Sequence, residues 1–499
     1  MKLISTCLLL LIPFVGLFAQ KATLHLTVSG APSIEEATLT SYNFRDGYLH
    51  ETDDWFWEIT VPLDKGKGSC SLDLEEPVFL FLEVNEGNRY ELFVSPGDKL
   101  QVTITCKGDK EQITVTGKGS NNNQATKWNE RPEGYDAYRS DTLPDNILKD
   151  LHQNYLTDSS RLAKYIGTYH PSRAYSAARR LDLLYTPLNQ YHEFWGNQKF
   201  KFMNKPNKAE RSRPWERALD SMLRRYPLNN EAALIARNYV DLVGRFSTRK
   251  REALIDSFNT DRAAFLQSWY GDSVNGEAAY IDDGENLFEE KIINRYFSGS
   301  VREFAYAHLI HGAIGDKEDN LLEIYDRMQQ KYPQSKYPKY LEPKLAGLRQ
   351  KDARQLNERM VFVPNGDSLK TFREVLDLVK GKTVVMDMWG TWCGPCRKEI
   401  DRNSQALKDH FKGKEVVFLY IANFDIHKPA AWRKLIAYYN MEGTHILANY
   451  ALTDDIMKTV KGKGYPTYII VKKDGSFELS KAGYPMDRQK MIDQVEAAL

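Results

Sequence analysis

Two cysteines separated by a glycine and a proline, Cys393-Gly394-Pro395-Cys396, stand directly behind the apolar run Val384-Val385-Met386-Asp387-Met388-Trp389. That spacing lets two thiols close a small ring when the first sits at the start of a helix. A strand-like run ahead of the pair and a helical pattern behind it, with Cys396, Ile400, Leu407 and Phe411 on one side, supply this setting. A helix start offers free N–H groups and roughly half a positive charge, which favour thiolate over thiol. Thiolate is the form that attacks a disulfide. The chemistry indicated is dithiol–disulfide exchange: Cys393 attacks, and Cys396, one turn further in, resolves the mixed disulfide. It requires the first sulfur to be held, ionised and exposed. A structural disulfide or two inert thiols is the competing account of the same residues.

Neighbouring residues fit the exchange reading. Pro395 lacks an N–H, which the first turn of a helix tolerates, and with Gly394 it shapes the ring. Trp392 is expected to shield one side of the sulfur. Asp387 interrupts an apolar strand, where a carboxylate is costly, so its pKa is expected to be raised. Its functional role is then a proton acceptor for Cys396 during resolution; the alternative is a strand-end aspartate facing water. Tyr465-Pro466-Thr467 opens the strand-like run Thr467–Val471. A cis Tyr465–Pro466 bond would turn the Tyr465 backbone towards the dithiol, to pair with an extended substrate segment; a trans turn proline fits the sequence as well. Metal is not expected, because zinc wants four ligands and no second Cys-x-x-Cys or His-x(3–5)-His follows.

The elements that must position these residues occupy only the end of a 499-residue chain, which is too long for one core. Residues 1–19 read as a cleaved signal peptide, with Lys2 ahead of an apolar core and Ala19 at the cleavage point, and Cys7 leaves with it. Residues 20–118 alternate with period two and predict a small antiparallel β-sandwich, with Ser95-Pro96-Gly97-Asp98 as a turn. Gly117 to Asn123 reads as a polar linker. Residues 125–352 are helical, with Leu321, Ile324, Tyr325 and Met328 on one face and Ala232, Ile235, Ala236, Tyr239 and Val243 on another. Arg225-Tyr226-Pro227 and Lys331-Tyr332-Pro333 end helices. Residues 358–499 alternate strand and helix, the sign of an α/β domain. Asp487 is expected to cap a final helix that buries Met491, Val495 and Leu499. Lys+Arg 68 against Asp+Glu 67 leaves no charge excess to recruit nucleic acid. In an oxidising compartment Cys70 and Cys106 either pair or sit as small buried hydrophobes.

At Asp387-Met388-Trp389-Gly390-Thr391-Trp392-Cys393-Gly394-Pro395-Cys396 and Gly464-Tyr465-Pro466-Thr467 the chain resembles the thioredoxin superfamily. An added helix and strand between about Lys428 and Ala448 make it similar to the exported TlpA/ResA branch, and the layout resembles Bacteroidota-type TlpA-family proteins. The resemblance implies a thioredoxin fold over 358–499. It also implies a periplasmic or envelope-facing thiol–disulfide oxidoreductase, some relatives of which serve cytochrome c biogenesis. One departure stands out: Asp401 occupies the place where such proteins usually carry proline. The Gly-Pro dipeptide is that of thioredoxin, at about −270 mV against about −120 mV for a strong dithiol oxidant, so reduction of client protein disulfides is the expected direction. A reductase there needs a membrane thiol electron donor. Two further readings stand beside this: a partner-binding scaffold with an accessory thioredoxin domain, and a peroxiredoxin-like peroxidase. The peroxidase is disfavoured because Met386 and Gly390 stand where its proline and hydroxyl residue would be.

Overall fold

The computed structural model describes residues 20–499 apart from 31–33, 42–49, 52–56, 86–87, 108–109, 126–134, 200–206 and 316–317. The expected signal peptide, 1–19, lies outside the described residues. The chain divides into two compact units, one ending at Leu309 and one beginning at Ile310, so the division falls within the helical stretch. Among the described residues no helix is long and apolar enough to cross a membrane.

The first unit opens with nine strands: β1 (Gln20–Ser29), β2 (Glu36–Ser41), β3 (His50–Glu51), β4 (Trp57–Pro62), β5 (Lys67–Leu74), β6 (Val78–Asn85), β7 (Asn88–Val94), β8 (Lys99–Lys107) and β9 (Lys110–Lys118). They form two sheets, ordered β5-β1-β8-β9 and β3-β4-β2-β6-β7. The expectation of a wholly antiparallel domain is corrected at one place: β1 and β8 run parallel. The period-two pattern reports which faces are buried and is blind to strand direction, so this pairing left no trace in it. Across β1, Leu24 has Cys70 on one side and Leu100 on the other, which leaves Cys106 six residues further along. The two cysteines are therefore free thiols. Burial pushes Cys70 up to about 11, and burial followed by the Glu111 charge raises Cys106.

The expected linker is built structure instead. Asn123 is buried, its Nδ2 donating to the Phe93 carbonyl at 2.9 Å and its Oδ1 accepting from the Phe93 N–H at 2.7 Å. An amide side chain thereby stands in for a missing strand partner. Helices follow: α1 (Asp145–Tyr169), α2 (Arg173–Gln198), α3 (Lys208–Arg225), α4 (Arg237–Thr260), α5 (Arg262–Tyr270), α6 (Gly276–Tyr296) and α7 (Gly299–Ala313), which runs across the division between the units. Phe79 and Phe93 from the sheet pack with Tyr165 and Tyr175 of α1 and α2. The predicted face through Ala232 breaks: a 3-10 turn covers Glu231–Ile235 and α4 starts only after Ala236, so Ala233 and Leu234 are buried in its place.

In the second unit α8 (Leu321–Lys331) and α9 (Pro338–Asp352) precede β10 (Met360–Phe362), α10 (Phe372–Leu378), β11 (Thr383–Trp389), α11 (Gly394–His410), β12 (Val416–Ala422), α12 (Pro429–Tyr438), β13 (Gly443–Leu447), α13 (Tyr450–Val460), β14 (Thr467–Val471), β15 (Phe477–Leu479) and α14 (Arg488–Ala497). The sheet order is β10-β13-β12-β11-β14-β15. Strands β10 to β13 are mutually parallel, and β14 and β15 are antiparallel to their neighbours. Every residue of β11 is buried, as a central strand covered on both faces must be. Val384, Met386 and Met388 face α10 and α13, whereas Val385 and Trp389 face α11. In α14 Asp487 caps the helix as expected, but Ile492 joins Met491 and Val495 in the core while Leu499, at the frayed end, is exposed.

Residues ahead of the sheet dock against it by polar contacts. Lys351 Nζ reaches Asp401 Oδ2 at 2.9 Å, Arg397 Nη1 reaches Asp319 Oδ2 at 2.8 Å, and the Tyr438 hydroxyl donates to Glu318. Asp401, in place of the family's usual proline, thus carries an ion pair, and α11 runs unbroken through it. For the first unit, we expect Asn123→Ala to cost about 2 kcal/mol by orphaning both Phe93 backbone groups, read as a lowered urea midpoint of the full chain.

Candidate active site

The dithiol forms where β11 leaves the sheet. Cys393 is the N-cap of α11, its Sγ accepting from the Cys396 N–H at 3.2 Å, and Pro395 lies in the first turn, where its missing N–H costs nothing. Cys393 and Cys396 are joined as a disulfide with Cα atoms 5.3 Å apart. Gly390 has no room for a side chain, because the Trp392 indole lies against it.

The loop is bracketed from the neighbouring strand. Parallel pairing sets Trp389 opposite Ala422, so the residues leaving β12 lie beside those leaving β11. Asn423 Nδ2 donates to the Trp389 carbonyl at 2.8 Å, and the Asn423 carbonyl accepts from Trp392 Nε1 at 2.9 Å. Asp425 takes the Thr391 N–H at 2.7 Å and the Thr391 hydroxyl at 2.6 Å. Burial raises the Asp425 carboxyl against the lowering effect of these two bonds. Asn423 and Asp425 are buried, and sequence reasoning misses both. The parallel register of two adjacent strand ends is the signal that would find them.

Asp387 lies on β11 between Val385 and Trp389 and faces α11, so the alternative of a water-facing strand end is excluded. Its Oδ1 has no hydrogen-bond partner among the described residues. A cavity of about 20 Å³, room for about one water, is lined by Asp387, Glu399, Asn403, Tyr420 and Tyr468 among others. Burial, and then the Glu399 charge, push the Asp387 carboxyl up to about 8. Glu399 is the second carboxyl, also missed by sequence reasoning: it sits one turn past Cys396 on the buried side of α11. It accepts from Asn403 Nδ2 at 2.8 Å and from the Met486 N–H at 3.1 Å.

Two expectations need correction. The exchange reading expects an exposed Cys393, yet in the closed ring it is 3% exposed, with Cys396 at 0%. Its N-cap position tucks the sulfur into a cluster with Trp389, Trp432 and Ile436, against which Tyr465 also packs. Thr467 is expected on the substrate side, but it is buried opposite Met388 and its hydroxyl is spent on the Gly464 carbonyl at 2.5 Å. Tyr465 and Pro466 stay partly exposed, and the bond between them is cis. The Tyr465 ring meets that of Trp392 edge-on at 5.6 Å. No group of metal-ligating side chains occurs among the described residues.

A parallel sheet extended by an antiparallel pair, with a helix-capping Cys-x-x-Cys beside a cis-proline, defines a thioredoxin-fold dithiol domain. Residues 381–477 match the Thioredoxin-like family model. A thiol-disulfide oxidoreductase ResA of Bacillus cereus is 31% identical over 114 residues, covering 20% of this chain and 55% of its own. ResA of Bacillus subtilis (strain 168) is 44% identical over 55 residues, covering 11% of this chain and 30% of its own. The chain spans at most about half the length of these relatives. Among solved structures, the thioredoxin domain of a Bacteroides vulgatus thiol-disulfide oxidoreductase is 22% identical, with TM-score 0.22 and coverage of 24% of this chain and 82% of that one. MTB dsbF, in mixed oxidized and reduced forms, is 20% identical, with TM-score 0.21 and coverage of 25% and 85%. Over residues 381–477 the chain is thioredoxin-like, and in this part it is similar to ResA-type thiol-disulfide oxidoreductases.

Because the folded Asp387 holds its proton to about pH 8 while an unfolded aspartate releases it near 4, the folded state binds more protons in that window. Stability from this group is full below about pH 4 and falls as pH rises to about 8. Asp387→Asn is therefore expected to unfold later than wild type at pH 8, by on the order of 2–4 kcal/mol. The difference should close towards pH 4, as read by denaturant titration at both pH values.

Proposed function

We propose that this chain is an exported thiol–disulfide oxidoreductase that reduces disulfides in client proteins. The observation that carries the reading is the Cys393–Cys396 ring, closed at the N-terminus of α11 directly behind the strand that carries the buried Asp387. In the reduced protein the Cys393 thiolate attacks a client disulfide, forming one S–S bond and expelling the client's other sulfur as thiolate. Cys396 then loses its proton and attacks Cys393 Sγ, which releases the second client thiolate and leaves the ring oxidised. Two electrons have passed to the client, so a thiol donor must return two, and an exported protein would draw them from a membrane thiol electron donor.

Asp387 is the proton acceptor for Cys396. A carboxyl raised to about 8 is a stronger base than an ordinary aspartate, which suits it to take up a thiol proton. Attack on a client belongs to the open dithiol and requires the Cys393 sulfur to be reached past the cluster of Trp389, Trp432 and Ile436. Tyr465 packs against the cluster that holds Cys393, and Tyr465, Pro466 and Trp392 are the residues a client strand would meet. Gly394 and Pro395 set the ring, and the thioredoxin dipeptide supports the reducing direction. The name of the ResA relatives supports the reaction class. The expected signal peptide at 1–19 supports a periplasmic or cell-envelope location.

Cys393→Ser should abolish insulin reduction, and Cys396→Ser should accumulate mixed disulfides with its clients on non-reducing gels. A wild-type protein that reduces no disulfide would promote the scaffold reading, in which the first unit holds a partner. Equilibration with glutathione should give a potential nearer about −270 mV than about −120 mV. In the reductase assay, a rate that climbs to about pH 8 in wild type should lose that inflection in Asp387→Asn.

A further inference from the structure

We propose that Arg488 is a positioning residue which, acting through Asn403, holds Glu399 against the Asp387 cavity during proton transfer from Cys396. The inference rests on the reading of Asp387 as proton acceptor and extends it to a residue far along the chain.

An arm of polar side chains runs inward from the surface. Arg488 is the first residue of α14 and is exposed, whereas Asn403 and Glu399 are buried on the side of α11 that also carries Cys396. Arg488 Nε donates to Asn403 Oδ1 at 2.9 Å, and Arg488 Nη2 donates to the Arg402 carbonyl at 2.9 Å. Asn403 Nδ2 then donates to Glu399 Oε2 at 2.8 Å, and the Met486 N–H donates to the same oxygen at 3.1 Å. A guanidinium only donates, so it takes the amide by its oxygen and turns the NH2 group inward. A donor so directed is received best by an ionised carboxylate. The placement of Arg488 has a cost of its own, since a cation in the first turn of a helix opposes the helix dipole. Its bonds to α11 offset that cost.

The other groups around Asp387 do not take the place of the arm. Tyr420 of β12 and Tyr468 of β14 stand opposite Asp387 in the two adjoining pairings, with Lys408 Nζ 5.5 Å from the Tyr420 ring. Glu399 comes from α11, and Met486 ahead of α14 adds only its backbone N–H. Loss of the arm frees Glu399 to turn from the cavity. Its charge then no longer opposes ionisation of Asp387, which releases its proton at lower pH. Loss of the Arg488 charge by itself acts in the opposite sense, because a cation favours a carboxylate. Holding and direct attraction therefore differ in sign.

The test is the pH at which the oxidised full-length protein loses the protonated-carboxyl infrared band that Asp387→Asn abolishes. We expect that pH to fall by about one unit in Arg488→Ala, and likewise in Asn403→Ser, while circular dichroism stays native. Glu399→Gln should lower it too, and adding Arg488→Ala to Glu399→Gln should move it no further. An unchanged or higher pH in Arg488→Ala, or an equal further fall in the Glu399→Gln background, overturns the proposal. The pH profile of insulin reduction separates this claim from the function it rests on. Its rising limb should move with the band, so that well below the inflection Arg488→Ala reaches about tenfold more of its plateau rate than wild type does. A band that moves while the limb stays keeps the arm and refutes Asp387 as acceptor. A band that moves in a protein that reduces nothing keeps the arm and refutes the reductase.

Discussion

Strand β11 runs parallel to β12 with Trp389 opposite Ala422, and the chemistry at the dithiol hangs on that register. It brings the exits of two neighbouring strands together, so Asn423 and Asp425 can grip the loop that leads into α11. It also decides which way Asp387 points. A slip of one residue would turn that carboxyl to the α10 and α13 face, among Met386, Met388 and Ile421, and would leave Thr391 and Trp392 without their partners. The loop has little else to order it, since its own backbone contributes only a short turn ahead of the helix.

The site stores an electrostatic conflict on the strength of that framework. Asp387 and Glu399 face one small cavity, and no ion pair to either occurs among the described residues. Glu399 is supplied with two donors, whereas Asp387 keeps one oxygen unsatisfied. Burial, with the Glu399 charge beside it, holds the proton on Asp387. A well-packed sheet can absorb such a cost, because β11 is flanked by apolar clusters on both faces.

What could be read from the sequence was local. β11, β14, the start of α11 and the capping of α14 all follow from contiguous patterns whose periodicity and caps lie within a few residues. What escaped was non-local. Asn423 and Asp425 are ordinary loop residues until the strand register places them, and Glu399 looks like a surface glutamate until the α11 face is known. The parallel β1–β8 pair and the strand-mimicking Asn123 have the same character. Polarity read Gly117–Asn123 as a linker, because an amide that satisfies a distant backbone has the composition of one that satisfies water. The burial of Cys393 was likewise invisible, since it depends on what Trp432 and Ile436 bring from α12.

The two thiols of the β5-β1-β8-β9 sheet stand apart from the dithiol chemistry. Burial keeps Cys70 protonated, so at neutral pH only about one molecule in ten thousand presents a nucleophilic sulfur there. Cys106 is shielded in the same sense, and the sheet keeps the two far apart. Within the described residues the native covalent state holds one ring across three positions of sequence and two free thiols. Once folded, the polypeptide thus carries one exchangeable ring and two thiols that burial withholds from exchange.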